Sequence, residues 1–387
     1  MSRGVHQDGG GRRSRARDGT RLALCAPNAF KGTLTAAVVA TALARGIEDA
    51  GWTARSLPVA DGGDGTLDIL LAAAGEQGRE QRVPVHGPFG RWRTARLGWI
   101  GERVAVVEMA EGSGLRLLGR RRDPMGASSA GAGELLRAAL EGGARRVIVG
   151  VGGSATTDGG MGILVALGAR LLDERRRPVA PGGGALERVA TVDLSAAHAH
   201  LRGRRVQVAV DVRSPLYGPD GAAHVFAPQK GAGPRQVAQL DAGLRHFAAV
   251  LERAAGLPGL AARAGAGAAG GAGFALAALG AELVSGAALV CDEVGLDDAL
   301  IDADLVITGE GRLDAQTAAG KAPAEVAARA RRDGVACVAI CGTVAGSQEL
   351  FATAIALDQF GEDPFRHARA LLRRAASRAV DMVAIYP

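Results

Sequence analysis

Asp304-Leu305-Val306-Ile307-Thr308-Gly309-Glu310-Gly311-Arg312-Leu313-Asp314 decides the fold. Leu305 to Ile307 form a short apolar run, and such a run bounded by turn residues reads as a buried strand. Gly309 and Gly311 then break the chain, helical spacing follows from about Ala322 to Arg332, and Val335–Ile340 is the next apolar run. Strand, glycine-rich turn, helix and strand is the repeating unit of a parallel sheet with crossover helices. The unit recurs outward from here. Residues 21–26 are an apolar run that Pro27 ends, and Thr35–Asp49 carries Val38, Val39, Ala42, Leu43 and Ile47 at helical spacing. Residues 145–151 end in Val147-Ile148-Val149, glycines follow at once, and Ile163–Leu172 reads as a helix.

Two regions depart from the pattern. Residues 83–110 hold short alternating stretches between glycine pairs, which read as antiparallel hairpins. Residues 257–275 are almost all Gly and Ala, a flexible or close-packing backbone. The expectation is an α/β protein of two unlike α/β domains, one with a mainly parallel Rossmann-like sheet and the other a mixed α/β inserted domain. The first takes residues 21–82 and 290–387, the second residues 83–289, and residues 1–20 form a basic tail.

With 387 residues and 48% hydrophobic side chains, the chain has material for a large core. The 58 glycines reflect biased base composition as much as any site. A net charge of +6 and a pI near 9.7 point towards nucleic acid, but the charge is badly placed for it. Residues 1–21 carry six arginines and two aspartates, a net of +4, which leaves +2 for the rest. No nucleic-acid partner is expected. The tail has no apolar period, so it reads as disordered, and it lacks the apolar core of a secretory signal. No run of about 18 apolar residues exists to span a membrane. Cys25, Cys291, Cys337 and Cys341 match no metal or disulfide spacing, and free thiols suit a reducing cytoplasm.

Five polar clusters stand at strand ends, where open α/β sheets bind ligands. In Ala26–Thr33, Lys31 adds a full charge beside a helix start that attracts anions. In Val59–Thr66, Asp61 and Asp64 bracket a glycine pair, hard oxygens for Mg²⁺ or substrate hydroxyls or else a plain turn. In Gly150–Gly160, glycines including Gly152 and Gly153 expose amides, Ser154, Thr156 and Thr157 offer hydroxyls, and Asp158 is a base or a metal ligand. The fourth cluster joins Asp211 and Arg213 to Gln229-Lys230-Gly231, groups suited to a carboxylate or phosphate. In the fifth, Glu310 or Asp314 would bind a metal, and Arg312 or Lys321 would neutralise a moving phosphoryl group. No G-x-x-x-x-G-K-[ST] is present, and Gly265–Gly270 fits G-x-G-x-x-G without the strand that motif needs.

Together the clusters resemble the bacterial glycerate kinases that use neither a Walker nor a sugar-kinase fold. Pro27-Asn28-Ala29-Phe30-Lys31-Gly32 resembles the family's Pro-Asp-Ser-Phe-Lys-Gly, and Ala60–Gly65 its Ala-Asp-Gly-Gly-Glu-Gly. Gly152–Gly160 is similar to Gly-Gly-Ser-Ala-Thr-Asn-Asp-Gly-Gly, and Asp211 to Lys230 follows the family's order of acid and Gln-Lys-Gly. Asp304–Thr317 and Gly320–Pro323 match nearly letter for letter. Asn28 and Ala29 stand where the family has Asp and Ser, and Ala132 where it has Thr.

The resemblance implies a cytoplasmic kinase using ATP and Mg²⁺ to phosphorylate D-glycerate at the 2- or 3-position in an interdomain cleft. Asn28, Lys31, Gly152, Gly153, Ser154, Thr156 and Lys230 are then expected to hold substrate or ATP. Asp61, Asp64 and Glu310 are expected to hold the metal, and Asp158, Asp211, Arg312, Asp314 and Lys321 to serve catalysis. A kinase of the same fold acting on another hydroxy acid, or an inactive relative, is the alternative that Asn28 allows. Monomer and homodimer both stay open.

Overall fold

The computed structural model describes residues 21–385 except Ala319, so the tail at residues 1–20 lies outside the described residues. The opening apolar run becomes the strand Leu22–Cys25, parallel to Thr53–Ser56 on one side and Leu305–Thr308 on the other. Ala336–Cys341 and Thr353–Ala356 extend the second side, giving a five-stranded, all-parallel sheet in the order 353–356, 336–341, 305–308, 22–25, 53–56. The inner strands are apolar throughout because both faces are covered. Ala23, Cys25, Leu305, Ile307, Val338 and Ile340 point to the helices Ala36–Asp49 and Ala368–Ile385. Leu24, Val306, Cys337 and Ala339 point the other way, to Ala322–Arg332 and Gly286–Glu293.

The middle of the chain builds a six-stranded sheet in the order 282–285, 205–210, 146–150, 104–108, 92–100, 78–86. The first four strands are parallel. Gly78–His86 and Trp92–Ile100 form the expected hairpin, and Pro84 is tolerated because its strand is an edge. One face meets the helices Ala130–Glu141, Met161–Ala166, Pro234–Ala255 and Ala268–Ala278. From the other face, Val106, Ile148 and Ala209 join the core that holds Leu24 and Val306 of the first sheet. The helices Thr66–Ala73 and Gly286–Glu293 fill that common layer.

The helix, the Gly/Ala stretch and the unit junctions take these forms in the structure. The helix read over 163–172 is only Met161–Ala166. Gly168 turns the chain at φ +92°, and Arg170–Leu172 pairs antiparallel with Thr191–Asp193. The Gly/Ala stretch is close-packed rather than flexible: Ala268–Ala278 is a buried helix kinked where Ala269, Gly270 and Gly271 take positive φ. A side chain at Gly270 would overlap the Thr156 carbonyl. Last, the expected junctions at 82/83 and 289/290 fall inside the strand Gly78–His86 and the helix Gly286–Glu293.

Candidate active site

Parallel strands point their carboxyl ends the same way, and that brings the loops together. The loop after Leu22–Cys25 is tied to the loop after Leu305–Thr308. The Asn28 N–H donates to the Gly309 carbonyl at 2.8 Å, and Thr308 Oγ1 donates to the Ala26 carbonyl at 2.7 Å. The loops 57–65 and 151–160 dock through their glycines. The Gly152 N–H donates to the Gly62 carbonyl at 3.1 Å, and a Cβ on Gly152 would overlap the Gly63 backbone. The Gly152 N–H thus already has an acceptor inside the fold. Gly153, at φ +69°, leaves no room for a side chain against the Asp64 carboxylate.

Lys31 is the centre of the charge. Its pKa is raised chiefly by Asp61, against the cost of burial, with Asp211, Glu310 and Asp64 adding. Asp61 is buried and accepts a hydrogen bond from Asn28 Nδ2 at 3.1 Å. An aspartate at position 28 would set two carboxylates at that distance, whereas Asn28 supplies a donor. Burial raises the pKa of Asp211, helped by Asp61 and opposed by Lys31. Burial also raises that of Glu310, against hydrogen bonds from Thr317 Oγ1 at 2.6 Å and Lys321 Nζ at 3.3 Å. Burial raises Asp64 likewise.

Lys31, Asp211, Glu310 and Lys321 line a crevice with two lobes, and Asn28, Asp61 and Asp64 stand behind its wall. One, of ≈ 480 Å³, is walled by Gly152, Gly153, Ser154, Asp211, Gln229 and Lys230. The other, of ≈ 530 Å³, is walled by Phe30, Glu310, Arg312, Asp314, Pro364 and Phe365. Lys31, Gln316 and Lys321 belong to both. Residues from both sheets' loops therefore share one hollow.

Some expected residues do other work. Asp158 is wholly buried and lines neither lobe. It accepts from the Ser129 N–H and hydroxyl at 2.8 Å each, and from the N–H groups of Gly160 and Gly162 at 3.2 Å. Four donors fill its acceptor sites, so it holds a turn and a helix start in place. Thr156 is also outside both lobes: its carbonyl accepts from Lys230 Nζ at 2.6 Å, while its buried hydroxyl and that of Thr157 have no partner. Lys230 is 1% exposed and also donates to Ser154 Oγ at 3.1 Å. Burial pulls its pKa down to about 7, with the Asp158 carboxylate opposing. Arg312 is largely exposed and pairs with Asp314 at 3.3 Å, on the rim.

Other residues were not singled out beforehand. Glu108 ends the parallel strand Val104–Glu108, and burial pushes its pKa up to about 7. Its signal was an apolar run closing on an acid, hidden by the hairpin reading. Glu111 pairs with Arg116, whose charge reaches Asp64. Phe365 lies beyond every quoted motif.

Among the described residues no three His, Cys, Asp or Glu side chains come together to hold an ion by themselves. Mg²⁺ needs no such cage, since it keeps waters and binds through one or two carboxylates plus phosphate oxygens. Glu310, its proton affinity raised by burial, and Asp61, whose charge reaches it, are the pair of carboxylates such a cation would use.

A parallel α/β sheet carrying a mixed-sheet partner, with acids and lysines gathered where the strands end, defines an enzyme of the α/β class. The glycerate kinase family model matches residues 23–383. The glycerate kinase of Bacillus subtilis (strain 168) is 43% identical over 369 residues, covering 91% of this chain and 95% of that protein. The glycerate 2-kinase of Escherichia coli (strain K12) is 42% identical over 323 residues, 82% of this chain and 84% of that protein. The crystal structure of a protein assigned as glycerate kinase 2 from Salmonella typhimurium LT2 superposes with a TM-score of 0.82 at 39% identity, covering 95% of this chain and 99% of that one. The chain belongs to the glycerate kinase family and is a kinase.

Proposed function

We propose that this chain moves the γ-phosphoryl group of ATP onto the 2-hydroxyl of D-glycerate, inside the two-lobed crevice and in the cytoplasm. One observation carries the reading: Lys31 sits among Asp61, Asp64, Asp211 and Glu310, with Lys321 beside them, at the junction of the two lobes. The choice of the 2-hydroxyl rests on the name of the E. coli relative. The crevice would be interdomain, with the units meeting near 77/78 and 285/286, where the strand Gly78–His86 begins and the strand Glu282–Ser285 ends.

Phosphoryl transfer asks a protein for in-line positioning and neutralised charge more than for covalent chemistry. Lys31 and Lys321, at the junction, meet the phosphate oxygens of the transferring group. Lys230 and Ser154 receive the substrate carboxylate, and an arriving anion restores the full charge that burial disfavours on Lys230. Asp211, its proton affinity raised by burial, takes the hydroxyl proton. Asp158 acts through position: it ties the start of the helix Ala130–Glu141 to the turn that opens Met161–Ala166. Asp61 and Glu310, with Asp64 at the edge, would hold Mg²⁺, which when bound draws negative charge off the phosphate oxygens. Arg312 and Asp314 screen the rim.

The test is purified protein with MgATP and D-glycerate, the product's phosphorylated carbon being identified by phosphorus NMR. 2-Phosphoglycerate is expected. Asn28 favours one second reading, a kinase of this fold for another small hydroxy acid, because the amide changes the charge beside Asp61. Silence on D-glycerate with turnover of a different acid in a panel would end the first reading and establish the second.

A further inference from the structure

The two lobes differ in kind. The lobe beside Gly152 and Lys230 offers glycine backbone, hydroxyls and charge, which suits a three-carbon acid. The other has an apolar wall made by Phe30, Pro364 and Phe365, and at ≈ 530 Å³ it falls within the usual size of small-molecule sites. Phe30 is buried, but Phe365 is 76% exposed, one of five large apolar side chains left so open among the described residues. Its ring is held out by a fixed turn. Asp363 Oδ1 accepts from the Phe365 N–H at 2.8 Å and the Arg366 N–H at 3.4 Å, and Asp363 pairs with Arg366 at 3.5 Å. The turn leads directly into the helix Ala368–Ile385. An open aromatic face at one end of a hollow and lysines at the other match a ligand with a flat heterocycle and an anionic tail.

We infer that the Phe365 lobe is the base subsite of the nucleotide, with the purine stacked on the Phe365 ring and the triphosphate running to Lys321 and Lys31. This inference rests on the proposed use of ATP. It sets the acceptor acid in the other lobe, so that donor and acceptor meet at the residues the lobes share.

The test compares wild type, Phe365→Ala and Phe365→Trp by calorimetric titration with MgATP and with magnesium tripolyphosphate, which has the anionic tail but no base. Phe365→Ala is expected to raise the MgATP Kd about 5- to 150-fold, the range set by base–aromatic stacking. Tripolyphosphate binding and the KM for D-glycerate stay as in wild type, and Phe365→Trp restores MgATP affinity. An unchanged MgATP Kd in Phe365→Ala overturns the subsite, and so does equal weakening of both ligands. A wild type that binds MgATP with this Phe365 dependence yet leaves D-glycerate untouched keeps the subsite and overturns the substrate reading. A wild type that binds neither ligand overturns both.

Discussion

Lys31 lies in a short loop before a helix start, and Asp61, Asp211, Glu310 and Asp64 all act on its charge. Replacing it by Met should lower kcat/KM by about 10²- to 10³-fold, the usual effect of removing one fixed group that stabilises transition-state charge; ATP turnover measures this. Glu108 makes a prediction about pH. Burial holds its pKa at about 7, above the 4.5 of an ordinary glutamate, so the folded chain holds a proton that the unfolded chain has released in between. Stability is therefore lost as pH rises through that window. Glu108→Gln should match wild type near pH 4 and exceed it near pH 8 by up to about 3 kcal/mol, at roughly 1.4 kcal/mol per unit. The Leu67 N–H, which donates to Glu108 Oε1 at 2.8 Å, keeps an acceptor in the glutamine. Thermal melts at the two pH values decide it. Thr157→Val removes a buried hydroxyl without a partner and should stabilise by about 1 kcal/mol, seen as a higher Tm. At this scale the sequence placed acids and lysines at strand ends, and in the fold Asp61, Asp64, Asp211 and Glu310 come close enough to act on Lys31. It could not show that the Asp158 carboxylate and the Gly152 N–H already have partners inside the fold, because residue type shows what a group can bond, not what already occupies it.

Elements were legible wherever local signals agreed. The helix Ala322–Arg332 starts with Pro323 in its first turn and ends on Arg329, Arg331 and Arg332, and its bounds are those read from spacing. The stretch 163–172 failed because Gly168 outweighs apolar periodicity and redirects the chain into a strand. Glycine also decides how elements meet. Gly46 lies in the helix Ala36–Asp49 where it crosses Ala368–Ile385, and a Cβ there would overlap the Arg373 carbonyl. Alanine would gain about 1 kcal/mol of helix propensity. Overpacking against a fixed backbone costs about 1–3 kcal/mol. Gly46→Ala should therefore leave the protein no more stable than wild type, and less stable if the helices cannot separate; a lower midpoint in urea is the expected reading. Gly152→Ala should do more damage, since it pushes apart two loops of the crevice, and turnover should fall along with stability.

The whole molecule is joined more firmly than its two sheets suggest. Val106, Ile148 and Ala209 of one sheet share a core with Leu24 and Val306 of the other. Domains that meet through a large apolar layer do not swing freely. Substrate binding should then leave the two sheets in place, and X-ray scattering should show almost no change in radius of gyration on adding MgATP and D-glycerate. This coupling was invisible in the sequence, because alternate residues of a strand look alike whichever neighbour they face. The parallel sheet was legible, but its assembly from both ends of the chain has a consequence for biosynthesis. The Thr308 hydroxyl reaches Ala26 across 282 positions. At about 5–20 residues per second, the ribosome delivers Leu305–Thr308, the second strand partner of Leu22–Cys25, some 15 to 60 seconds after that segment emerges. Meanwhile Gly78–Ser285 can complete its own sheet, leaving the apolar side of Ala36–Asp49 bare to the cell. Newborn chains of this protein should accordingly depend on a chaperone that holds the amino-terminal segment until translation ends.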